Sequence, residues 1–165
     1  MIQIVDWIQR HQLQAKQLLD FGCGKGGTIT WLKGLYPKLG IRGWDVGTKR
    51  YAKRPRDSEG ELIQYDGIYS IDVWEHIEQA DIPDAIECLR RVSHPKTEWC
   101  HIIDLTPAIK QLPDGRNAHV TLLTPEEWQT QFESQGCSVT EIQIFRQRDP
   151  NFTHRVRCQI HCRPS

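Results

Sequence analysis

A glycine-rich segment near the start of the chain has the spacing of a nucleotide-binding loop. Residues 22–27, GCGKGG, satisfy the pattern G-x-G-x-x-G between a predicted strand and a predicted helix. Asp45 ends the next predicted strand, eighteen residues after Gly27. In such loops the glycines let the backbone approach a ligand, and a carboxylate at the end of the second strand holds ribose hydroxyls. The order of these features predicts a site for a nucleoside.

The carboxylate of Asp20, two residues before Gly22, indicates which nucleoside the loop binds. A dinucleotide places its pyrophosphate at the helix start, where backbone N–H groups favour anions, and a carboxylate at the lip of the turn would repel it. S-adenosylmethionine has no phosphate and carries an ammonium and a sulfonium, which a carboxylate attracts. Asp20 therefore favours S-adenosylmethionine over a nicotinamide dinucleotide.

Two polar clusters follow later predicted strands, at residues 74–76 and 114–119. Ligands of open parallel sheets bind beyond the carboxyl ends of the strands, so we expect both clusters to meet in one cleft. His76 and His119 are the candidate catalytic residues, because a histidine can accept a proton near neutral pH. The alternative for each is a histidine held in place by backbone hydrogen bonds.

Four further residues of these clusters are candidates for binding the substrate. Trp74 could stack on a planar group, and the guanidinium of Arg116 suits a carboxylate or a phosphate. The alternative for Arg116 is an ordinary surface arginine in a loop. The substrate-binding candidates are Trp74, Glu75, Arg116 and Asn117.

The elements that must position these residues alternate along the chain. Their hydrophobic spacing predicts helices over residues 2–14, 28–36, 81–92 and 124–135, and strands over residues 17–21, 41–46, 65–73, 99–105, 138–146 and 155–162. Asp81 is predicted to cap the third helix, and Thr124 and Glu127 form a capping box for the fourth. Strands that alternate with helices predict an α/β fold, with a mostly parallel sheet covered on both faces.

Four segments together resemble the Rossmann-like, class I S-adenosylmethionine-dependent methyltransferases. LLDFGCGKG, residues 18–26, is similar to their first motif, and YDGIYSIDVWEHI, residues 65–77, is similar to their fourth-strand motif. LRRV, residues 89–92, resembles the following helix, and HVTLLTPEEW, residues 119–128, resembles the entry to the next one. The resemblance covers residues 17–164.

This resemblance implies a three-layer Rossmann-like fold with a seven-stranded sheet in the order 3-2-1-4-5-7-6, in which strand 7 is antiparallel. It also implies that Asp45 binds the ribose hydroxyls and that Asp72 lies beside the cofactor. The predicted cofactor-binding residues are Asp20, Gly22, Cys23, Gly24, Asp45, Asp72 and Val73.

The region between the second and fourth strands departs from the family pattern. Only twenty residues separate Asp45 from Asp66, where the family has a helix, a third strand and an acid that contacts adenine. We expect strand three, at residues 61–64, to be short or degenerate, and no residue is assigned to adenine. This compactness and the segment LPDGRNAH, residues 112–119, are similar to methyltransferases of phage and bacterial genomes.

The composition is typical of one globular domain, with 165 residues of which 38% are hydrophobic and 25% charged. We predict a single domain over residues 1–165, with a short N-terminal helix in residues 1–16 and the Rossmann-like core in residues 17–164. The 21 basic and 21 acidic residues balance, which disfavours a nucleic-acid partner. With neither a secretory signal nor a membrane-spanning apolar run, the expected location is the cytoplasm, with no membrane partner. The six cysteines include no C-x-x-C pair, so no metal site is predicted.

The sequence thus predicts an enzyme that transfers a methyl group from S-adenosylmethionine to an oxygen or nitrogen of a small-molecule or polymer-borne acceptor. The Asn/Asp-Pro-Pro-Tyr signature of enzymes that methylate amino groups of bases is absent, which favours oxygen slightly. Two alternatives stay open. The shortened adenine side favours a non-catalytic module that serves as a binding or scaffold subunit, and a nicotinamide oxidoreductase is disfavoured by Asp20.

Overall fold

A mixed β-sheet forms the centre of the computed structural model, which describes residues 2–51, 56, 58–149 and 152–164. Its strands are β1 (Gln17–Phe21), β2 (Gly40–Trp44), β3 (Tyr65–Ile71), β4 (Ser93–Asp104), β5 (Cys137–Asp149) and β6 (Phe152–Pro164). Within the described residues these six strands have the order β2-β1-β3-β4-β6-β5. The first four are parallel, and β6 is antiparallel to β4 and β5. The carboxyl ends of the parallel strands therefore lie side by side along one edge of the sheet.

Helices cover both faces of the sheet. The helices are α1 (Ile2–Arg10), α2 (Gly27–Leu35), α3 (Ile82–Arg90) and α4 (Pro125–Ser134). Because side chains of a strand alternate between faces, Leu18 packs with α1 and α2, whereas Leu19 packs with α3 and α4. The predicted α/β fold with three layers is confirmed. In the described part of the chain, no helix has the length and apolar character needed to cross a membrane.

The sheet has six strands rather than the predicted seven, and its order differs because the predicted strand three is missing. Within residues 61–64 the described backbone forms only an isolated antiparallel bridge, between Leu62 and Arg56. The physical reason is length, because the twenty residues between Asp45 and Asp66 are too few for a helix, a strand and their turns. Strand β2 is consequently an outermost strand of the sheet.

The starts of α3 and α4 test the two predicted caps. Thr124 Oγ1 accepts a hydrogen bond from the Glu127 backbone N–H at 3.2 Å, and Glu127 Oε2 accepts one from the Thr124 N–H at 2.7 Å, so the capping box is confirmed. The predicted Asp81 cap is wrong, because its side chain makes no capping hydrogen bond. Asp81 itself belongs to a 3₁₀ turn, Gln79–Asp81, and its ψ of −7° is helical, whereas a capping residue has the extended ψ that Thr124 adopts at 162°.

Candidate active site

A cavity of about 460 Å³ lies beyond the carboxyl ends of the parallel strands. Gly22 directly follows β1, Asp45 follows β2 and Asp72 follows β3, and all three line this cavity. The cavity is also lined by His76 and Ile77, which follow β3, and by Ala85 of α3. The edge of the sheet therefore brings together residues that are up to fifty positions apart in the chain.

The first glycine of the loop is required by a close approach between two strand ends. Gly22 has a φ of +71°, and a Cβ at this position would lie 2.3 Å from Cγ2 of Val73. Its N–H donates to the Trp44 carbonyl at 2.7 Å. Any side chain at position 22 would push the loop away from Val73 and from the cavity.

Asp45 fastens the middle of the glycine loop. Its Oδ2 accepts a hydrogen bond from the Gly24 N–H at 2.8 Å. Gly24 has a φ of +52°, and a Cβ there would meet no atom of the described residues within 4 Å, so its outer side is open with respect to them. The half-buried carboxylate of Asp45 thus lies between the loop and the cavity that it lines.

Cys23 packs its side chain away from the cavity. A Cβ on Gly43 would lie 2.5 Å from Cys23 Sγ, which shows that the thiol lies over β2. Burial raises the pKa of the Cys23 thiol to about 12, so the group is neutral at physiological pH. Any contact of Cys23 with a ligand in the cavity would therefore have to come from its backbone.

Asp20 is buried beneath the loop instead of standing at its lip. It is 3% exposed, and it lies on the α1 and α2 side of β1, whereas Phe21 faces the cavity. Its Oδ2 has no hydrogen-bond partner among the described residues. Burial raises the pKa of Asp20 to about 7; the nearby Tyr69 hydroxyl opposes this rise, and the charge of Asp45 adds to it. The predicted lip position is therefore wrong, because successive residues of a strand face opposite sides.

Asp72 turns the chain sharply at the end of β3. Its φ of +53° lies in the left-handed region, which a few aspartates adopt. Oδ2 accepts a hydrogen bond from an Arg157 Nη at 2.5 Å, while Oδ1 is buried and has no hydrogen-bond partner in the part of the chain that the structure describes. Sequence reasoning missed Arg157, because it reaches this edge only through the antiparallel pairing of β6 with β4. The bend places Val73 against Gly22.

A 3₁₀ turn, Trp74–His76, follows Val73 and sends its three side chains in different directions. Trp74 is completely buried, with its ring centroid 5.6 Å from that of Phe21 and 5.0 Å from that of Phe132. Since it has no exposed surface, the prediction that Trp74 stacks on a substrate is wrong, and the residue belongs to the core. His76 is exposed and lines the cavity.

Glu75 is also completely buried. The prediction that it contacts a substrate is therefore not met in this structure. Its Oε1 accepts a hydrogen bond from the Asp104 N–H at 3.2 Å, and Oε2 has no partner among the described residues. Burial, with the charges of Asp72 and Asp104 adding to it, raises the pKa of Glu75 to about 8. The carboxyl group of Glu75 therefore titrates near neutral pH.

The two histidines lie side by side, with ring centroids 4.7 Å apart and planes at 83°. His76 Nδ1 is 2.8 Å from the Ala118 carbonyl oxygen, and His119 Nδ1 is 2.5 Å from that of Thr106. Unlike His76, His119 is only 5% exposed and lies behind the cavity wall. The two polar clusters thus come into contact at these two residues, but of the two only His76 lines the cavity.

Arg116 and Asn117 are occupied by contacts within the protein. The guanidinium of Arg116 is exposed and pairs with Glu78 at 2.6 Å and with Asp114 at 2.8 Å. The amide of Asn117 donates to the Ala108 carbonyl and accepts from the Ala108 and His119 N–H groups, each at 2.9 Å. Asn117 therefore shapes the loop that carries His119 and has little capacity left for a substrate.

Two groups of side chains in this region have ligand atoms within 4.8 Å of one another, close enough to hold a metal ion. The first consists of Glu75, His76 and His119, and the second of Asp72, Glu75 and Asp104. Asp104 accepts hydrogen bonds from Thr106 and forms an ion pair with Arg155. The spacing of these residues along the sequence gave no signal of either group, because they come from three separate segments.

Comparison with solved structures finds the same fold in several methyltransferases. A Methanosarcina mazei S-adenosylmethionine-dependent methyltransferase matches with a TM-score of 0.72 and 12% identity, over 96% of each chain. Burkholderia thailandensis 1,6-didemethyltoxoflavin-N1-methyltransferase, solved with 1,6-didemethyltoxoflavin and S-adenosylhomocysteine, has a TM-score of 0.70 and 12% identity, over 97% of this chain and 76% of that one. The magnesium protoporphyrin IX methyltransferase of Synechocystis PCC 6803, with bound S-adenosylhomocysteine, has a TM-score of 0.64 and 16% identity, over 99% and 80%.

Sequence comparison identifies the family. No curated protein sequence matches the chain significantly. The profile of a family described as "Methyltransferase domain", however, matches residues 3–142. This match contains the glycine loop, the three strand ends that line the cavity and both histidines. The chain therefore belongs to the methyltransferase domain family.

Proposed function

We propose that this chain binds S-adenosylmethionine in the cavity at the strand ends and transfers its methyl group to an oxygen or nitrogen of a small-molecule acceptor. The observation that carries the proposal is the convergence of Gly22, Asp45 and Asp72 on one cavity, each directly after a parallel strand. Such a position is where open α/β sheets bind their ligands. The family match supports the transfer of a methyl group.

The residues around the cavity fit the groups of this cofactor. Asp45 would accept hydrogen bonds from the ribose hydroxyls, and the open side of Gly24 lets the backbone of the loop approach the ligand. The buried Oδ2 of Asp20 has no hydrogen-bond partner within the described ranges, and a cationic group held by the loop would compensate its charge. Gly22, the Cys23 backbone, Asp72 and Val73 complete the proposed cofactor site.

Bound S-adenosylmethionine supplies an electrophilic methyl group on a sulfonium, which loses its charge during the transfer. The chain mainly has to align the acceptor and to remove a proton when the acceptor is a hydroxyl. His76 is placed for this second task, because it is exposed in the cavity and its Nδ1 donates to the Ala118 carbonyl. Its Nε2 therefore carries the lone pair that can accept the proton. His119 is a positioning residue behind it.

The size and walls of the cavity favour a small acceptor. A volume of about 460 Å³ lies in the range of sites for small ligands, and Phe21, Ile77 and Ala85 offer apolar contacts. The didemethyltoxoflavin enzyme with the same fold was solved with a small acceptor and S-adenosylhomocysteine, which supports this choice. An acceptor carried on a polymer would have to present a protruding group to the cavity.

Titration calorimetry with S-adenosylhomocysteine tests the cofactor site. Asp45→Ala removes the carboxylate at the loop and should weaken binding more than about tenfold, the effect of losing charge-assisted hydrogen bonds worth about 1.5–3 kcal/mol. Asp6→Ala, on the exposed side of α1, is the matched control and should bind like the parent chain. Lack of binding at millimolar ligand would favour the non-catalytic module, and preferential binding of NADH would favour an oxidoreductase.

A further inference from the structure

Glu75, His76 and His119 form a cluster of three possible metal ligands. The proposed methyl transfer gives a role to the two histidines but none to Glu75. One ligand atom of each residue lies within 4.8 Å of the others. The cluster joins two chain segments that are held together by Thr121, whose N–H donates to the Glu75 carbonyl at 3.1 Å and whose hydroxyl donates to the Ile77 carbonyl at 2.7 Å. The three side chains are therefore held close by a hydrogen-bonded framework.

Backbone carbonyls orient both imidazole rings. A carbonyl oxygen can only accept a hydrogen bond, so Nδ1 of His76 donates to Ala118 and Nδ1 of His119 donates to Thr106. In each neutral ring the lone pair is consequently on Nε2. Histidines that bind metals commonly donate their other ring N–H to a backbone carbonyl, because this fixes the tautomer and the ring orientation. Both histidines thus have the supporting contact that a metal ligand needs.

Glu75 provides an independent observation that something is missing from this cluster. The residue has no exposed surface, and its Oε2 has no hydrogen-bond partner among the described residues. A buried polar atom without a partner costs free energy on the order of 1–3 kcal/mol. A cation bound between this oxygen and the two rings would remove that cost.

The charges around Glu75 indicate which side of it a cation would occupy. Asp72 is already paired with Arg157, and Asp104 is paired with Arg155. The two aspartates next to Glu75 therefore already have positively charged partners. The two histidines bring nitrogen ligands and no charge in their neutral form. A cation beside Glu75 is therefore better accommodated between the histidines than between the aspartates.

We propose that Glu75, His76 and His119 bind one divalent transition-metal ion, with an open coordination position toward the cavity. Two histidines and one carboxylate form the ligand set of catalytic zinc sites and of non-haem iron sites. Zinc ligands at about 2.1 Å from the metal lie about 3.4 Å from each other, which is inside the 4.8 Å limit that the ligand atoms of this cluster meet.

The role of this ion rests on the proposed methyl transfer. A hydroxyl of the acceptor would occupy the open position, where the metal lowers its pKa and the proton leaves to solvent. The oxygen then bonds to the methyl carbon as the carbon–sulfur bond breaks, and S-adenosylhomocysteine departs. With the ion bound, the lone pair of His76 is held by the metal, so the metal prepares the acceptor in place of the histidine.

Titration of the chelator-treated protein with Co²⁺ tests the site, because cobalt reports its ligands through visible absorption. We expect one equivalent to bind with a visible d–d band. His119→Ala and His76→Ala should each weaken binding more than about tenfold, as loss of one ligand predicts. His94→Ala removes an imidazole that lies beside Asp66, outside the cluster, and should leave binding unchanged. His76 is exposed, so its variant remains informative even if His119→Ala does not fold, as judged by circular dichroism.

Equal cobalt binding in all three variants would overturn the proposal. A thiolate-to-cobalt charge-transfer band would also overturn it, because it would place the ion on cysteines. Binding of S-adenosylhomocysteine to the metal-free protein is measured in parallel. If this ligand binds and Co²⁺ does not, the metal site is refuted and the proposed function stands. If Co²⁺ binds as expected and S-adenosylhomocysteine does not, the proposed function fails and the metal site stands.

Discussion

Two buried carboxyl groups, Asp20 and Glu75, each have one oxygen without a hydrogen-bond partner among the described residues. Burial raises the pKa of Asp20 to about 7 and that of Glu75 to about 8. Between pH 4 and pH 8 the folded chain therefore holds more protons at these groups than the unfolded chain does. The contribution of these two groups to stability consequently falls as the pH rises through this window.

We expect Asp20→Asn to remove part of this pH dependence. In the ligand-free parent, the free energy of unfolding should decrease between pH 5 and pH 8, because Asp20 must ionise in a buried position. In the variant that decrease should be smaller, since an amide does not titrate. Urea unfolding at several pH values measures the difference. An identical pH profile for the two proteins would show that Asp20 is not the titrating group.

The pH dependence of cofactor binding should run opposite to that of stability, and Asp20→Asn tests this as well. Ionised Asp20 attracts the cationic end of S-adenosylmethionine, so the affinity of the parent should increase from pH 6 to pH 8. Asp20→Asn should bind more than about tenfold more weakly at pH 8, since about 1.4 kcal/mol is a factor of ten. Calorimetry at the two pH values measures this. A variant that is both less stable and unchanged in affinity would remove Asp20 from the site.

At the scale of the elements, the 3₁₀ turn after β3 decides what each residue of its segment does. With three residues per turn, Trp74, Glu75 and His76 face directions about 120° apart. The sequence indicated that these residues follow a strand and lie near the cavity. It could not indicate that only His76 faces it, because that depends on the left-handed bend at Asp72.

Trp74→Ala measures whether this residue is a core residue or a ligand contact. Complete burial against Phe21 and Phe132 predicts a loss of stability of about 3–5 kcal/mol. Trp31→Ala, at a half-buried position of α2, should cost less and serves as the control. Thermal and urea unfolding give both values. Weaker acceptor binding with unchanged stability would restore the stacking interpretation.

The meeting of the first and third strand ends gives a second prediction at this scale. Gly22→Ala should cost about 2–5 kcal/mol, because it adds left-handed strain and a Cβ that would lie 2.3 Å from Val73 Cγ2. Gly34→Ala, in an exposed position of α2 where a Cβ meets nothing within 4 Å, should instead stabilise by about 0.4–1 kcal/mol. Urea unfolding distinguishes the two. Similar stability for both variants would contradict the proposed close approach.

On the scale of the whole molecule, the periodicity of apolar residues was sufficient to predict the three layers and the strand ends that carry Gly22, Asp45 and Asp72. Those features depend on local pattern and on the rule that parallel strands end at one edge. The ion pairs of Asp72 with Arg157 and of Asp104 with Arg155 were not predictable. They depend on the register of β6 against β4, and both arginines are more than fifty residues from their partners.

The position of S-adenosylhomocysteine in a crystal structure of this chain would decide whether the cavity is the cofactor site. We expect the nucleoside beyond the ends of β1, β2 and β3, with its ribose hydroxyls at hydrogen-bond distance from Asp45. We expect the amino group on the side of the loop nearest Asp20. A ligand bound elsewhere, or a dinucleotide that displaces it from this cavity, would refute the proposed cofactor site.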